Sequence, residues 1–148
     1  YMIPAAFVRL ARLPMTSSGK IDRRGLPEAR HSRDALDVPY AAPQNQLETV
    51  LGRLWCEVLQ VEKMGSSDDF FALGGDSLLA NAIVARVNQL FALTQPLKTL
   101  FATPTVAQLA AWITAQERSP GAAAASARLM LEIDDMAPEQ IHRALGDD

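Results

Sequence analysis

Three apolar stripes at helical spacing, separated by a glycine pair and a proline, constrain the fold of this chain most tightly. Leu47, Val50, Leu51, Leu54, Trp55, Val58 and Val61 recur on one helix face, with Pro43 before them and Gly65-Ser66-Ser67 not far beyond. A second helix is expected from Ser77 to about Phe91, with Leu79, Ile83, Val84, Val87, Leu90 and Phe91 as its core stripe. Residues 97 to 101 suffice for a turn or two. Thr103-Pro104-Thr105 then opens a last helix, with proline at its first helical position and Val106, Leu109, Ala110 and Ile113 as its buried stripe. Trp112 falls at the edge of that stripe. Residues 40 to 117 therefore predict an all-α fold, a small four-helix bundle, in which these side chains make core rather than a cofactor box.

The chain has 148 residues, 49% of them hydrophobic and 21% charged, which is enough for one small globular domain with appendages and too few for two full domains. A net charge of −3 argues against a nucleic-acid surface and leaves no basic stripe for a membrane. No apolar run approaches the roughly 18 residues of a membrane span, and the first residues lack the charged start and apolar stretch of a signal peptide. A cytoplasmic setting is expected. The single Cys56 excludes an internal disulfide, and helical projection places it opposite the apolar face of its helix, as a solvent-facing thiol. His31 and His142 fall in segments that read as a linker and a tail, so neither serves Cys56 and no zinc constellation is expected.

Chemistry concentrates in the run Asp68-Asp69-Phe70-Phe71-Ala72-Leu73-Gly74-Gly75-Asp76-Ser77-Leu78-Leu79-Ala80, which delivers one hydroxyl to the start of an amphipathic helix. The aromatic pair and Leu73 anchor the loop, while Gly74 and Gly75 allow a turn with positive φ and leave room for another protein's backbone. Ser77 sits among the unpaired N–H groups of a helix start, where a covalently attached phosphodiester is favoured by about 0.3–1 kcal/mol. The plainer alternative is that Asp76 or Ser77 merely caps the helix, worth about 1 kcal/mol.

This run resembles the attachment motif of peptidyl carrier proteins, the thiolation domains of nonribosomal peptide synthetases. The resemblance implies that Ser77, with Gly75 and Asp76 beside it, is the site of covalent phosphopantetheine. It also implies that a phosphopantetheinyl transferase adds the arm from coenzyme A and that the arm's thiol holds an aminoacyl or peptidyl group as a thioester. Such a domain is a carrier without an active site of its own, although the parent synthetase would be a multidomain ligase. Many members have His where this chain has Asp76; within the family an aspartate there resembles a subtype linked to particular downstream partners, including epimerisation domains and siderophore-type assembly lines. Leu78 projects roughly opposite the buried stripe, in company with Ala82, Ala85 and Gln89, and in carrier proteins the corresponding leucine resembles a docking anchor. Burying it contributes about 1.5–3 kcal/mol against an association cost of roughly 4–15 kcal/mol, so its contacts are expected to be weak and short-lived.

Residues 1 to 27 stand apart from the bundle. Phe7-Val8-Arg9-Leu10 reads as a strand, and Pro14-Met15-Thr16-Ser17-Ser18-Gly19-Lys20 as a turn presenting a lysine. Gly19-Lys20 fails as a phosphate-binding P-loop, because Pro14 stands where its first glycine belongs and Ile21 where Ser or Thr belongs. The segment from Tyr1-Met2-Ile3-Pro4 through Leu13-Pro14 to Ser18-Gly19-Lys20-Ile21-Asp22-Arg23-Arg24-Gly25-Leu26-Pro27 instead resembles the final stretch of an adenylation domain, which in synthetase modules leads into a carrier. The resemblance implies that Lys20 helps stabilise attack of an amino-acid carboxylate on the α-phosphate of ATP in the parent, and that it has no such work in this fragment, where the rest of that active site is lacking. Opening on Tyr1 in mid-motif, the chain is expected to be a piece of a longer polypeptide.

The expected organisation is an adenylation remnant over 1–27, a flexible linker over 28–42, the carrier over 43–117, a low-complexity linker over 118–127 and a tail over 128–148. In the tail Leu129, Met130, Ile133 and Met136 sit at helical spacing, Pro138 opens a second short helix with Ile141 and Leu145 on one side, and Gly146 ends it. Acidic Glu132, Asp134, Asp135, Glu139, Asp147 and Asp148 dominate its polar positions, and it is too short to fold alone. Two readings stay open, a disordered tail and a helical peptide that docks on the next protein or domain. Expected partners are the transferase, the adenylation domain, and a condensation, epimerisation or other downstream domain. Two rival functions also stand: a ligase fragment acting through Lys20, and an unmodified helical interaction module.

Overall fold

The computed structural model describes residues 10–26, 33 and 36–136. Among the described residues five α-helices follow one another, α1 (Gln46–Leu59), α2 (Ser77–Phe91), α3 (Lys98–Ala102), α4 (Val106–Ala115) and α5 (Ala122–Asp134), preceded by a 3-10 turn at Arg23–Gly25. α1 packs against α2, α4 and α5. Its start is closed from both sides: the Glu48 N–H donates to the Asn45 side chain at 2.9 Å, and the Glu48 carboxylate accepts the Gln44 N–H at 2.7 Å. It stops at Gln60, which takes a left-handed conformation with φ 55° and returns its N–H to the Cys56 carbonyl.

The core gathers Leu51 and Trp55 of α1, Ile83 and Val87 of α2, Leu100 of α3, and Val106, Leu109 and Ile113 of α4 around Phe70 and Leu73 from the long α1–α2 loop. Trp55 meets Phe70 edge-on, with ring centroids 5.2 Å apart. The loop is held to the head of α4: the Phe70 N–H donates to the Pro104 carbonyl at 2.8 Å and the Ala107 N–H to the Ser66 carbonyl at 2.9 Å. Pro104 thus precedes the helix rather than opening it, and Thr105 is the cap, its Oγ1 accepting the Gln108 N–H.

α2 occupies the expected span, but its buried stripe is Ala80, Ile83, Val84 and Val87. Leu79 is only half-buried, and Leu90 is 37% exposed, lining a groove between α1, α2 and α5 with Val50, Leu54 and Met130. Both leucines lie to either side of the stripe, which spacing alone draws too wide. Cys56 is half-buried rather than solvent-facing. Burial pushes its thiol above the ordinary value, opposed by a backbone hydrogen bond at Met64.

The largest departures lie at the flanks. Instead of a free connector up to residue 42, Arg33 and residues 36–42 are tied to the bundle: Leu36 packs on the core and the Ser66 N–H donates to the Ala41 carbonyl at 2.7 Å. Instead of a linker over 118–127, Ala122 begins α5, whose alanines are the strongest helix formers. Glu117 accepts the Gly121 and Ala123 N–H groups at 2.7 and 2.8 Å, closing a helix start that lacks a side-chain cap of its own. α5 returns to α1 through Ala123 and Ala127, with Met130 and Leu131 half-buried behind them, while Leu129 and Ile133 face outward. The packing face is therefore not the stripe read from Leu129, Met130, Ile133 and Met136. Phe7 to Arg9, His31, Pro138, Ile141, His142, Leu145 and Gly146 lie outside the described residues.

Candidate functional site at the head of α2

The segment leading to Ser77 is built by its own short-range chemistry. Asp69 accepts the N–H groups of Phe71 and Ala72 at 2.8 and 2.9 Å, curling the chain under the aromatic pair. Gly74 then takes φ 95°, a conformation that side-chain-bearing residues rarely adopt. Gly75 is needed for a different reason. A Cβ there would stand 2.7 Å from the Phe70 carbonyl oxygen and would overlap the Phe70 ring. Its lack of a side chain serves the chain's own core, where the sequence suggests room for a partner's backbone.

Asp76 follows in extended conformation and caps α2, its carboxylate accepting the Leu79 N–H at 2.8 Å. That assigns the cap. Ser77 is the first residue of the 15-residue helix; it is exposed, and its hydroxyl takes part in none of the described hydrogen bonds. Asp76 has already closed the Leu79 N–H, so the Ser77 and Leu78 N–H groups remain at the positive end of the helix. Leu78 is 76% exposed, and Ala82 and Ala85 are exposed beyond it.

One neighbour escaped the sequence reading. Phe101 of α3 is 50% exposed and stacks on Phe71 of the loop, with centroids 4.9 Å apart and planes 10° from parallel. Phe101 reads only as the end of a short helix; the doubled Phe70-Phe71 is the available signal, one ring serving the core and the other carrying the stack.

Lys20 lies elsewhere. The Thr16 N–H donates to the Lys20 carbonyl at 2.7 Å, the Lys20 N–H to Thr16 Oγ1 at 3.1 Å, and Gly19 turns the chain with φ 77°. The described hydrogen bonds of this turn run among residues 14 to 25, and the lysine is exposed. Among the described residues, no group of three or more His, Cys, Asp or Glu is placed to hold a metal, and no helix is long and apolar enough to cross a membrane.

The family model for the phosphopantetheine attachment site matches residues 49–113. A malpinin synthetase of Mortierella alpina is 47% identical over 116 residues, which are 78% of this chain and 2% of that protein. A peptidyl carrier protein solved with the phosphopantetheine transferase Sfp and coenzyme A superposes with a TM-score of 0.51 at 40% identity, over 52% of this chain and 100% of that one. The extended docking domain complex PaxA T1-CDD/PaxB NDD superposes with a TM-score of 0.50 at 29% identity, over 69% of this chain and 95% of that one. The chain thus spans a small fraction of the curated synthetase it matches.

The head of α2 fits a phosphate-linked arm. It offers a hydroxyl that takes part in none of the described hydrogen bonds, backbone N–H groups at a helix N-terminus, and a carboxylate turned to its own cap rather than standing unpaired beside Ser77. Since a complete carrier protein is matched from end to end at 40% identity, the chain belongs to the phosphopantetheine-attachment family, as a peptidyl carrier domain of nonribosomal peptide synthetase type.

Proposed function

We propose that Ser77 is the residue to which phosphopantetheine is joined. The observation that carries this reading is the division of labour at the head of α2: Asp76 supplies the cap and Ser77 is left exposed with its hydroxyl unengaged. When bound, the group supplies a thiol that holds an acyl chain as a thioester. Ser77 Oγ would carry the group through a phosphodiester, its proton lost and the nucleotide part of coenzyme A released as the pyrophosphate bond breaks; the helix N-terminus would favour the remaining negative charge by about 0.3–1 kcal/mol, and the exposed position leaves the arm room to reach outward. Leu78, Ala82, Ala85 and the outer face of Phe101 form the surface on which a transferase or a catalytic domain docks. The carrier has no catalysis of its own and presents its cargo to enzymes that do.

The flanks are assigned by order and pattern. Residues 1–27 are the end of an adenylation domain, and Lys20, held at an exposed turn, belongs to that parent enzyme's chemistry. α5 presents Leu129 and Ile133 beside Glu132 and Asp135 to a downstream protein or domain, a reading supported by the likeness to a docking domain complex. Incubation with coenzyme A and a phosphopantetheinyl transferase, followed by intact mass measurement, tests the central assignment. One phosphopantetheinyl group is expected on the chain and none on Ser77→Ala; modification of the alanine variant overturns it.

A further inference from the structure

The α1–α2 loop holds an aspartate that the carrier's proposed chemistry does not use. Asp68 is fully buried, and its charge is met from the segment ahead of the bundle: Arg33 Nε donates to Oδ2 at 2.7 Å and Arg33 Nη2 to Oδ1 at 3.1 Å, the side chains being 16% and 0% exposed. Within the loop, the Gly65 N–H adds a bond to Oδ2 at 2.6 Å. The same guanidinium donates to the Val38 carbonyl at 2.8 Å and lies 5.0 Å from the centroid of the Tyr40 ring, whose other cation neighbour is Lys63 at 3.8 Å. Arg33 therefore binds residues 38 to 40 and the loop at once.

We infer that Arg33 is a positioning residue for the modification loop, acting through Asp68 on the geometry that presents Ser77. The path is short and physical. Asp68 adjoins Asp69, which curls the chain at Phe71 and Ala72; Phe70 packs against the bare Cα of Gly75; Gly75 adjoins the cap residue Asp76. A buried carboxylate stripped of its partner draws water or moves toward it, and the loop that carries it would then sample arrangements in which Phe70 and Gly75 no longer meet. Only the fraction with the loop in place would be competent for the transferase, which raises the apparent KM by the inverse of that fraction and leaves turnover of bound carrier intact. The connector would thus be part of the working carrier, and its anchoring would be felt at Ser77.

The inference rests on Ser77 being the modified residue, and the test separates the two. In the full chain, Arg33→Ala and Arg33→Lys are compared with the parent for transferase kinetics at a temperature where all remain folded, and for amide hydrogen exchange. Expected are a KM for the carrier raised about fivefold or more in Arg33→Ala, an unchanged kcat, and partial recovery in Arg33→Lys, which restores the charge without the paired donors. Faster exchange is expected at Gly65, Ser66, Asp68 and Phe70 and at Ala107, whose N–H is bonded to the Ser66 carbonyl, with the rest of α4 unaffected. An unchanged KM with parental protection of these amides overturns the inference, as does faster exchange spread evenly over the bundle with KM unchanged. Should Arg33→Ala fail to fold, Arg33→Lys alone decides, by the same rise in KM or its absence. Modification that persists in Ser77→Ala condemns the site assignment instead, and the exchange pattern still reports on Arg33.

Discussion

α2 has two faces that answer to different demands. Ala80, Ile83, Val84 and Val87 are buried on the side of α2 that packs on α1, whereas Ser77, Leu78, Ala82 and Ala85 are exposed. Apolar area on the first face leaves water when the chain folds. On the second face it can leave water only when another protein arrives. On the proposed assignment one helix therefore separates what stabilises the carrier from what makes it a substrate, and substitutions a few residues apart should report on one property without the other.

The largest effect is expected on the inner face. Ile83 is fully buried, so Ile83→Ala should cost about 2–5 kcal/mol of stability, read from urea unfolding, while modification of the folded protein proceeds at the parental rate. A loss below about 1 kcal/mol would mean that the core around α2 collapses to fill the space, and the contrast between faces would weaken. On the outer face, Leu78→Asp should leave the unfolding midpoint nearly unchanged. Its kcat/KM with the transferase should fall about tenfold or more, because burying a leucine contributes about 1.5–3 kcal/mol to an encounter. Equal loss of stability in the two variants would erase the distinction.

Ser77 and Asp76 sharpen the comparison at the point where the faces meet. Asp76→Ala removes the only side-chain cap of α2 and should destabilise by about 0.5–2 kcal/mol, measured by thermal unfolding. Ser77→Ala removes a hydroxyl that bonds to nothing described and should be nearly silent in the same measurement. The reverse order would make Ser77 the cap and would remove the main reason for regarding its hydroxyl as available.

Periodicity and turn chemistry carried much of this architecture. The limits of α2, the short α3 and the buried stripe of α4 follow from apolar spacing, whereas the start of α4 lies after the Thr105 cap and not at Pro104 as the turn residues suggest. Three features were not legible, each for a physical reason. Asp68 looks like a solvated charge because its partner Arg33 lies 35 positions earlier, across a segment that reads as a connector. The alanines from 122 onward look like low-complexity linker, since alanine carries no apolar stripe; only the placement of Ala123 and Ala127 against α1 reveals how small side chains let two helices approach. Phe101 reads only as the end of a short helix because a stack with Phe71 needs the loop and α3 to be brought together first.

α5 repeats the two-faced pattern of α2 in weaker form, with Ala123 and Ala127 inward and Leu129 and Ile133 outward. Its one described ion pair to the bundle joins Arg53 to Asp134 at 3.3 Å, with side chains 50% and 64% exposed. Water and salt screen such a pair, and holding the long Arg53 side chain in register costs entropy, so it should contribute less than about 0.5 kcal/mol. Arg53→Ala is therefore the smallest effect expected, close to silent in thermal unfolding at any ionic strength. The small side chains must then hold the helix, because only close approach lets backbone and Cβ atoms of α5 meet the apolar surface of α1. A clear, salt-sensitive loss of stability in Arg53→Ala would show instead that charge fastens α5, and its likeness to the inner face of α2 would end there.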